Sequence, residues 1–206
     1  MTTDLLPRVV AGGWNDLNTA AELIADAFTP LAVARWLVPD PGRRTRVLRD
    51  QMAILAEHAL FHGRVDLLAD FSGVAVWFDR TRPVAPPRDY DRRLRAVCGP
   101  DTDRFTTLDA LLDAHYPHGQ AHHHLALLAV APDLQGTGRG SALLRHGYAV
   151  ADLAGVPTCL DASSGGSRDL YLRHGYEAGE PFHLPDGPPL WPMRRPPRPV
   201  GRDPGS

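Results

Sequence analysis

Residues 125–144, LALLAVAPDLQGTGRGSALL, decide how this chain folds. They open with an unbroken apolar run to Ala131, the most strand-like central segment of the sequence. Glycines then fall at alternate positions, Gly136, Gly138 and Gly140, where they let a backbone come close to something bulky. The helix-compatible Ser141-Ala-Leu-Leu-Arg-His follows at once and offers unpaired N–H groups at its start. A strand, a glycine turn and a helix N-terminus in that order make a cradle for an anion.

Three phosphate-binding patterns compete for the cradle. A Walker A loop requires a lysine ahead of its Ser or Thr, and this chain has none, all 22 basic residues being arginine. A dinucleotide-binding fingerprint also has a strand before and a helix after, with an acid ending the next strand, here Asp161. Its glycines begin at the strand end, however, whereas Ala131-Pro-Asp-Leu-Gln135 intervene here, and its third glycine falls on Ser141. Only about 45 residues remain beyond Asp161 to complete such a domain. The third pattern, Gln/Arg-x-x-Gly-x-Gly/Ala, is met by Gln135-Gly136-Thr137-Gly138-Arg139-Gly140.

On that hexapeptide the sequence resembles the GCN5-related N-acetyltransferase (GNAT) superfamily. The whole order of strand, x-Pro-x-x-Gln turn, glycine loop and amphipathic helix agrees, and LYLRHGYE (170–177) resembles the superfamily's Phe-Tyr-x-x-x-Gly-Phe segment. GVAVWF, a long helical insertion, AGVP and the ending LPDGPPLWPMRR extend the resemblance to puromycin N-acetyltransferase-like actinobacterial enzymes. It is looser in the first half, where such enzymes set acceptor specificity.

The resemblance implies an α/β (α+β) GNAT fold, a central mixed sheet of about six or seven strands flanked by helices. It implies acetyl-coenzyme A as cosubstrate, its pyrophosphate held by Gln135, Gly136, Thr137, Gly138, Arg139, Gly140 and Ser141. The pantetheine arm would lie like an added strand along the backbone of Leu128, Ala129 and Val130. Tyr171 occupies the position of the general acid for the departing thiolate. Ser167 replaces an asparagine that contacts the coenzyme, keeping a hydroxyl there.

His124 stands where some relatives carry the first histidine of a His-x-His pair, the second position being Ala126 here. An imidazole suits the proton-accepting task. His122 and His124 share one strand face and His123 the other, so the three cannot converge on one metal ion. No metal is expected. Asp161, Asp26, Glu22 and Asp79 are candidates to attract a cationic amine, and Trp36, Trp77 and Trp191 to wall an apolar pocket.

Outward from the loop, residues 7–12 read as a short strand and 15–28 as a helix with Asn15 or Asp16 as N-cap. A short apolar piece, LAVARWLV, ends at Pro39-Asp40-Pro41-Gly42, and 43–62 read as a long helix. VDLLAD and GVAVWF form a hairpin around 70–72. A proline-rich loop (79–89) and helices near 90–97 and 104–115 lead to the strand at 122–130. The glycine-loop helix runs to about Ala154, then PTCLDA is a strand, a short helix lies near 167–173, and GYEAGEPFHL and PLWPMRRP are strands. One domain over residues 1–195 is expected, with the tail from Pro196 having the composition of a disordered end.

A formal net charge of −2 leaves no basic surplus for nucleic acid. No apolar run suits a membrane span, and Cys98 and Cys159 form no spacing motif, so a cytoplasmic protein is expected. The expected activity is acetyl transfer to a primary amine of a small molecule, an antibiotic or metabolite, by direct attack in a ternary complex of a monomer or homodimer. Acetylation of protein N-termini or lysines, and a non-catalytic acyl-coenzyme A-binding module, stand as alternatives.

Overall fold

A computed structural model describes residues 6–199. Strand β1 (Val9–Ala11) and a single 3-10 turn (Trp14–Asp16) precede helix α1 (Leu17–Phe28). Asp16 does not cap α1 through its side chain: its carboxylate accepts the Gly13 N–H at 2.8 Å and closes the turn instead. The short apolar piece is helix α2 (Ala32–Leu37). Helix α3 (Pro41–His62) starts where Pro41 fixes φ at the first position and the Asp40 carboxylate accepts the Gly42 N–H at 2.9 Å.

Strands β2 (Gly63–Leu68) and β3 (Gly73–Asp79) form the expected antiparallel hairpin. Helices α4 (Tyr90–Cys98) and α5 (Thr102–His115) follow the proline-rich loop. Next come β4 (His123–Val130), α6 (Arg139–Ala154), β5 (Thr158–Ala162) and α7 (Gly165–Arg173). Strands β6 (Glu177–Ala178), β7 (Phe182–His183) and β8 (Pro189–Arg195) finish the described chain. Residues 200–206 of the proposed tail lie outside the described residues, and 196–199 form no regular element.

The result is a mixed α/β fold whose sheet has eight strands, more than the six or seven expected, because the segment after α7 contributes three. Its order is β1-β2-β3-β4-β5-β8-β6, with β7 paired to β8. Among the described strands only β4 and β5 run parallel. Helices α1 to α5 cover one face, where Ile24, Leu48, Val76 and Leu127 share a core. The other face is covered by α6 and α7 over Trp77, Leu125, Leu143 and Leu160. Strand β3 has helices on both faces, so it is buried from Gly73 to Phe78 and reads as continuous apolar sequence.

Helix α6 approaches the sheet closely at Gly147, where a Cβ would overlap the indole of fully buried Trp77. Gly147→Ala is therefore expected to cost about 2–3 kcal/mol, typical of overpacking, despite alanine's better helix propensity. A urea midpoint equal to wild type would contradict this packing.

Candidate active site

The parallel pair β4–β5 is in register only at His123↔Thr158, His124↔Cys159 and Leu125↔Leu160. Beyond Leu125 the strands part, so the second half of β4 has no neighbour on that side. The cause is local. The register between β3 and β4 slips between Val76 and Trp77, with Ala126 the extra residue on β4, and a bulge bends the strand that carries it.

The same slip sets which backbone groups face the gap. Ala131 donates its N–H to Ser72 O on the hairpin side at 2.9 Å. By alternation, Ala129 also turns its N–H and C=O toward β3, while those of Leu128 and Val130 face the gap. Of the three residues expected along the pantetheine arm, Ala129 is thus spoken for by β3. The Gln135 side chain reaches the same opening and donates to Val130 O at 3.3 Å.

Below the gap, Gly136 and Gly138 hold φ of 78° and 90°, a region that side chains with a Cβ rarely adopt. Gly140 needs no such freedom, and a Cβ there would make only ordinary contacts of 3.7 Å with Leu170 and Val130. The first intrahelical bond of α6 runs from Ala142 N–H to Gly138 O. That leaves the N–H groups of Arg139, Gly140 and Ser141 aimed out of the helix start.

Three of the side chains expected at the coenzyme are engaged elsewhere. Arg139 is buried, its Nε donating to Ser72 Oγ at 2.9 Å and its guanidinium 3.6 Å from Asp70 Oδ2. It pins the β2–β3 hairpin to the loop and offers the cradle only its backbone. Ser167 Oγ donates to Ser164 O at 2.9 Å within the capping box of α7. Ser141 Oγ meets His174 Nε2 at 2.8 Å, a bond that ties the end of α7 to the start of α6.

That tie orients α7 so that Tyr171 enters the core between α6 and the β4–β5 junction. Tyr171 is buried, and burial, reinforced by Tyr176, raises its phenol well above the ordinary value of 10. The group stays protonated over the working pH range and so has a proton to give.

On the opposite face of the junction lies a cavity of about 210 Å³. His124, Cys159 and Asp161 face it from the strands, and His115 and Tyr116 close it from the end of α5. His122 and His124 share a cluster with Tyr116, ring centroids 5.0 and 5.7 Å from the phenol, while His123 points away toward Asp79. Burial, aided by His122 and Arg80, pushes His124 down to about 3. A ring held neutral this far below its ordinary value is a weak base for the proton-accepting task expected of His124.

Of the four candidate acids, only Asp161 lines the cavity. Glu22 and Asp26 are exposed on α1, and Asp79 accepts from the N–H and hydroxyl of Thr81 at 3.0 and 2.7 Å. Burial raises the Asp161 carboxyl to about 7, against a lowering by His115. None of the three tryptophans faces the cavity: Trp77 is core, Trp36 donates to Pro185 O at 2.8 Å, and Trp191 packs under Arg168. The aromatic wall is Tyr116, raised to about 12 by burial, with His115 stacked on Phe182 at 4.1 Å. Neither His115 nor Tyr116 carries a local signal in the sequence, and only the return of α5 brings them here. Among the described residues no group of three or more His, Cys, Asp or Glu is arranged to hold a metal ion.

A splayed parallel pair over a glycine turn and helix start, with a buried phenol at the junction, is an arrangement suited to acetyl transfer. Residues 107–178 match the family model of the acetyltransferase (GNAT) domain, and this match supports an N-acetyltransferase. The structure is similar to that of a Corynebacterium glutamicum protein described as histone acetyltransferase HPA2 and related acetyltransferase, with 26% identity and a TM-score of 0.71 over 96% of this chain and 100% of that one. Arylalkylamine N-acetyltransferase 2 from Aedes aegypti shares the fold at 13% identity and a TM-score of 0.64, over 92% and 98% of the two chains. An agmatine N-acetyltransferase does so at 14% and 0.59, over 90% and 97%. No helix of the described residues is long and apolar enough to cross a membrane.

Proposed function

We propose that this enzyme acetylates the primary amine of a small molecule, an antibiotic or metabolite, in the manner of the puromycin N-acetyltransferase-like enzymes its motifs resemble. The carrying observation is the cavity beside the splay, which has room for a compact amine and is closed over by the end of α5. A single domain acting in the cytoplasm suits this reading.

The residues fit the cosubstrate that the superfamily uses. Two left-handed glycines and the free N–H groups of α6 suit a pyrophosphate, and the gap-facing backbone of Leu128 and Val130 suits an extended amide-bearing arm. Acetyl-coenzyme A supplies the activated acyl carbon and a thiol leaving group. Leu128 and Val130 align the arm and present N–H groups to the carbonyl oxygen, and Tyr171 gives a proton to the leaving sulfur. His124, neutral throughout, forms part of the acceptor wall.

The description of the Corynebacterium protein as a histone acetyltransferase keeps protein acceptors as the rival reading. A panel of small amines and of lysine or N-terminal peptides, read by thiol release, separates the two. Turnover on the amines supports the proposal, and turnover confined to peptides overturns it, as does coenzyme binding without turnover on either.

A further inference from the structure

We infer that Asp161 is the catalytic base of this enzyme, and that the cavity it faces selects a cationic primary amine carried on an apolar or aromatic skeleton. This rests on the small-amine reading above and adds to it the proton acceptor and the charge of the acceptor substrate. Asp161 is the first β5 residue beyond the last register pair, Leu125↔Leu160, so its carboxylate stands at the mouth of the gap where β4 and β5 part. Its side chain points, with that of Cys159, into the cavity rather than into the core under α6, which takes Leu160 and Ala162.

The carboxylate meets no hydrogen-bond or ion-pair partner among the described residues, whereas the acids of the hairpin and helix surfaces are bonded or exposed. The groups facing it are His115 and Tyr116 from the α5 end, His124 from β4, Cys159 from β5, Glu177 from β6 and Arg194 from β8. Cys159 and Tyr116 are held protonated by burial, and His124 is held neutral. Glu177 and Arg194 are register partners, both exposed, and offset each other at the rim. A half-buried carboxylate faced by neutral Cys159, Tyr116 and His124 attracts an ammonium, and the rings of Tyr116 and His115 accommodate a flat or apolar body behind it.

The step is a simple exchange. An N–H bond of the ammonium breaks and an O–H bond forms on Asp161. The freed nitrogen lone pair forms the C–N bond as the C–S bond breaks, and the sulfur takes the Tyr171 proton. The second nitrogen proton leaves to solvent, which reprotonates Tyr171, and Asp161 releases its own proton the same way. The base form is the carboxylate, so kcat/KM should rise with pH through about 7 and then level off.

The test compares wild type, Asp161→Asn and Asp161→Glu on an aliphatic amine, cationic across the pH range used, and on an arylamine, neutral across it. With the aliphatic amine, Asp161→Asn should lose about 10²-fold in kcat/KM and the limb near 7, and Asp161→Glu should restore part of both. With the arylamine, which brings no proton to remove before attack, the loss should shrink at least tenfold. Binding of acetyl-coenzyme A should be unchanged in both variants, which also reports that they fold. An Asp161→Asn profile matching wild type, or an equal loss on both amines, overturns the role of Asp161 while wild-type turnover leaves the small-amine reading standing. Wild-type turnover on neither amine overturns that reading and this one with it.

Discussion

Titrated with acetyl-coenzyme A, Gly138→Asp is expected to bind about 10²-fold more weakly than wild type. Gly138 holds φ of 90° immediately before the first turn of α6. An aspartate there places its carboxylate against the N–H groups of that turn, where it both occupies donors and repels a phosphate. Losing one or two charge-assisted hydrogen bonds is worth about 3 kcal/mol, or two decades in affinity. Gly155→Asp is the control. Gly155 also lies in the left-handed region, at φ of 65° with open space around it, but at the far end of α6. It adds the same charge at another left-handed position, away from the cradle. Equal affinities for the two variants, measured calorimetrically, would remove the pyrophosphate from this loop.

The second large effect concerns the leaving group. Tyr171→Phe should lower kcat about 10²-fold, the usual range for loss of a general acid, with the coenzyme dissociation constant unchanged. The phenol is raised by burial well above its ordinary value, so the deficit should be uniform from mildly acidic to mildly alkaline pH. Phenylalanine keeps the ring in its place against Tyr176 and the α6 leucines, so the variant should fold normally. A kcat within twofold of wild type would leave the tyrosine a packing residue and require another donor for the thiolate.

What the two sides of the junction do to their ionisable groups follows from one cause. Burial penalises the charged form, which holds Tyr171 and Cys159 protonated and His124 neutral, and lifts Asp161 into the neutral range. The site thus contains a permanent acid on one face and a carboxyl that titrates near neutrality on the other. A histidine chosen for its ordinary basicity loses it here because the strand bearing it enters the core.

The α/β class, the helix and strand order and the glycine cradle were all legible in residues 125–144 and the elements around them. These are local properties. An apolar run of strand length, a turn that needs φ above zero and a helix start announce themselves through backbone chemistry. The LYLRHGYE segment likewise put Tyr171 on a helix close after β5. Only the tertiary structure decided the rest. Register between strands is set by pairing, so the slip at Ala126, the splay it produces and the turning of Ala129 toward β3 have no signature in a single strand. Arg139, Ser141 and Ser167 found partners at Ser72, His174 and Ser164, and those bonds removed their side chains from the cradle. The acceptor cavity joins the end of α5 to β5 and β8 across long stretches of chain, and burial is a property of that joining. The sequence by itself therefore named the loop that suits the coenzyme, while the fold brought, of four acids and three histidines, only Asp161 and His124 to face the cavity.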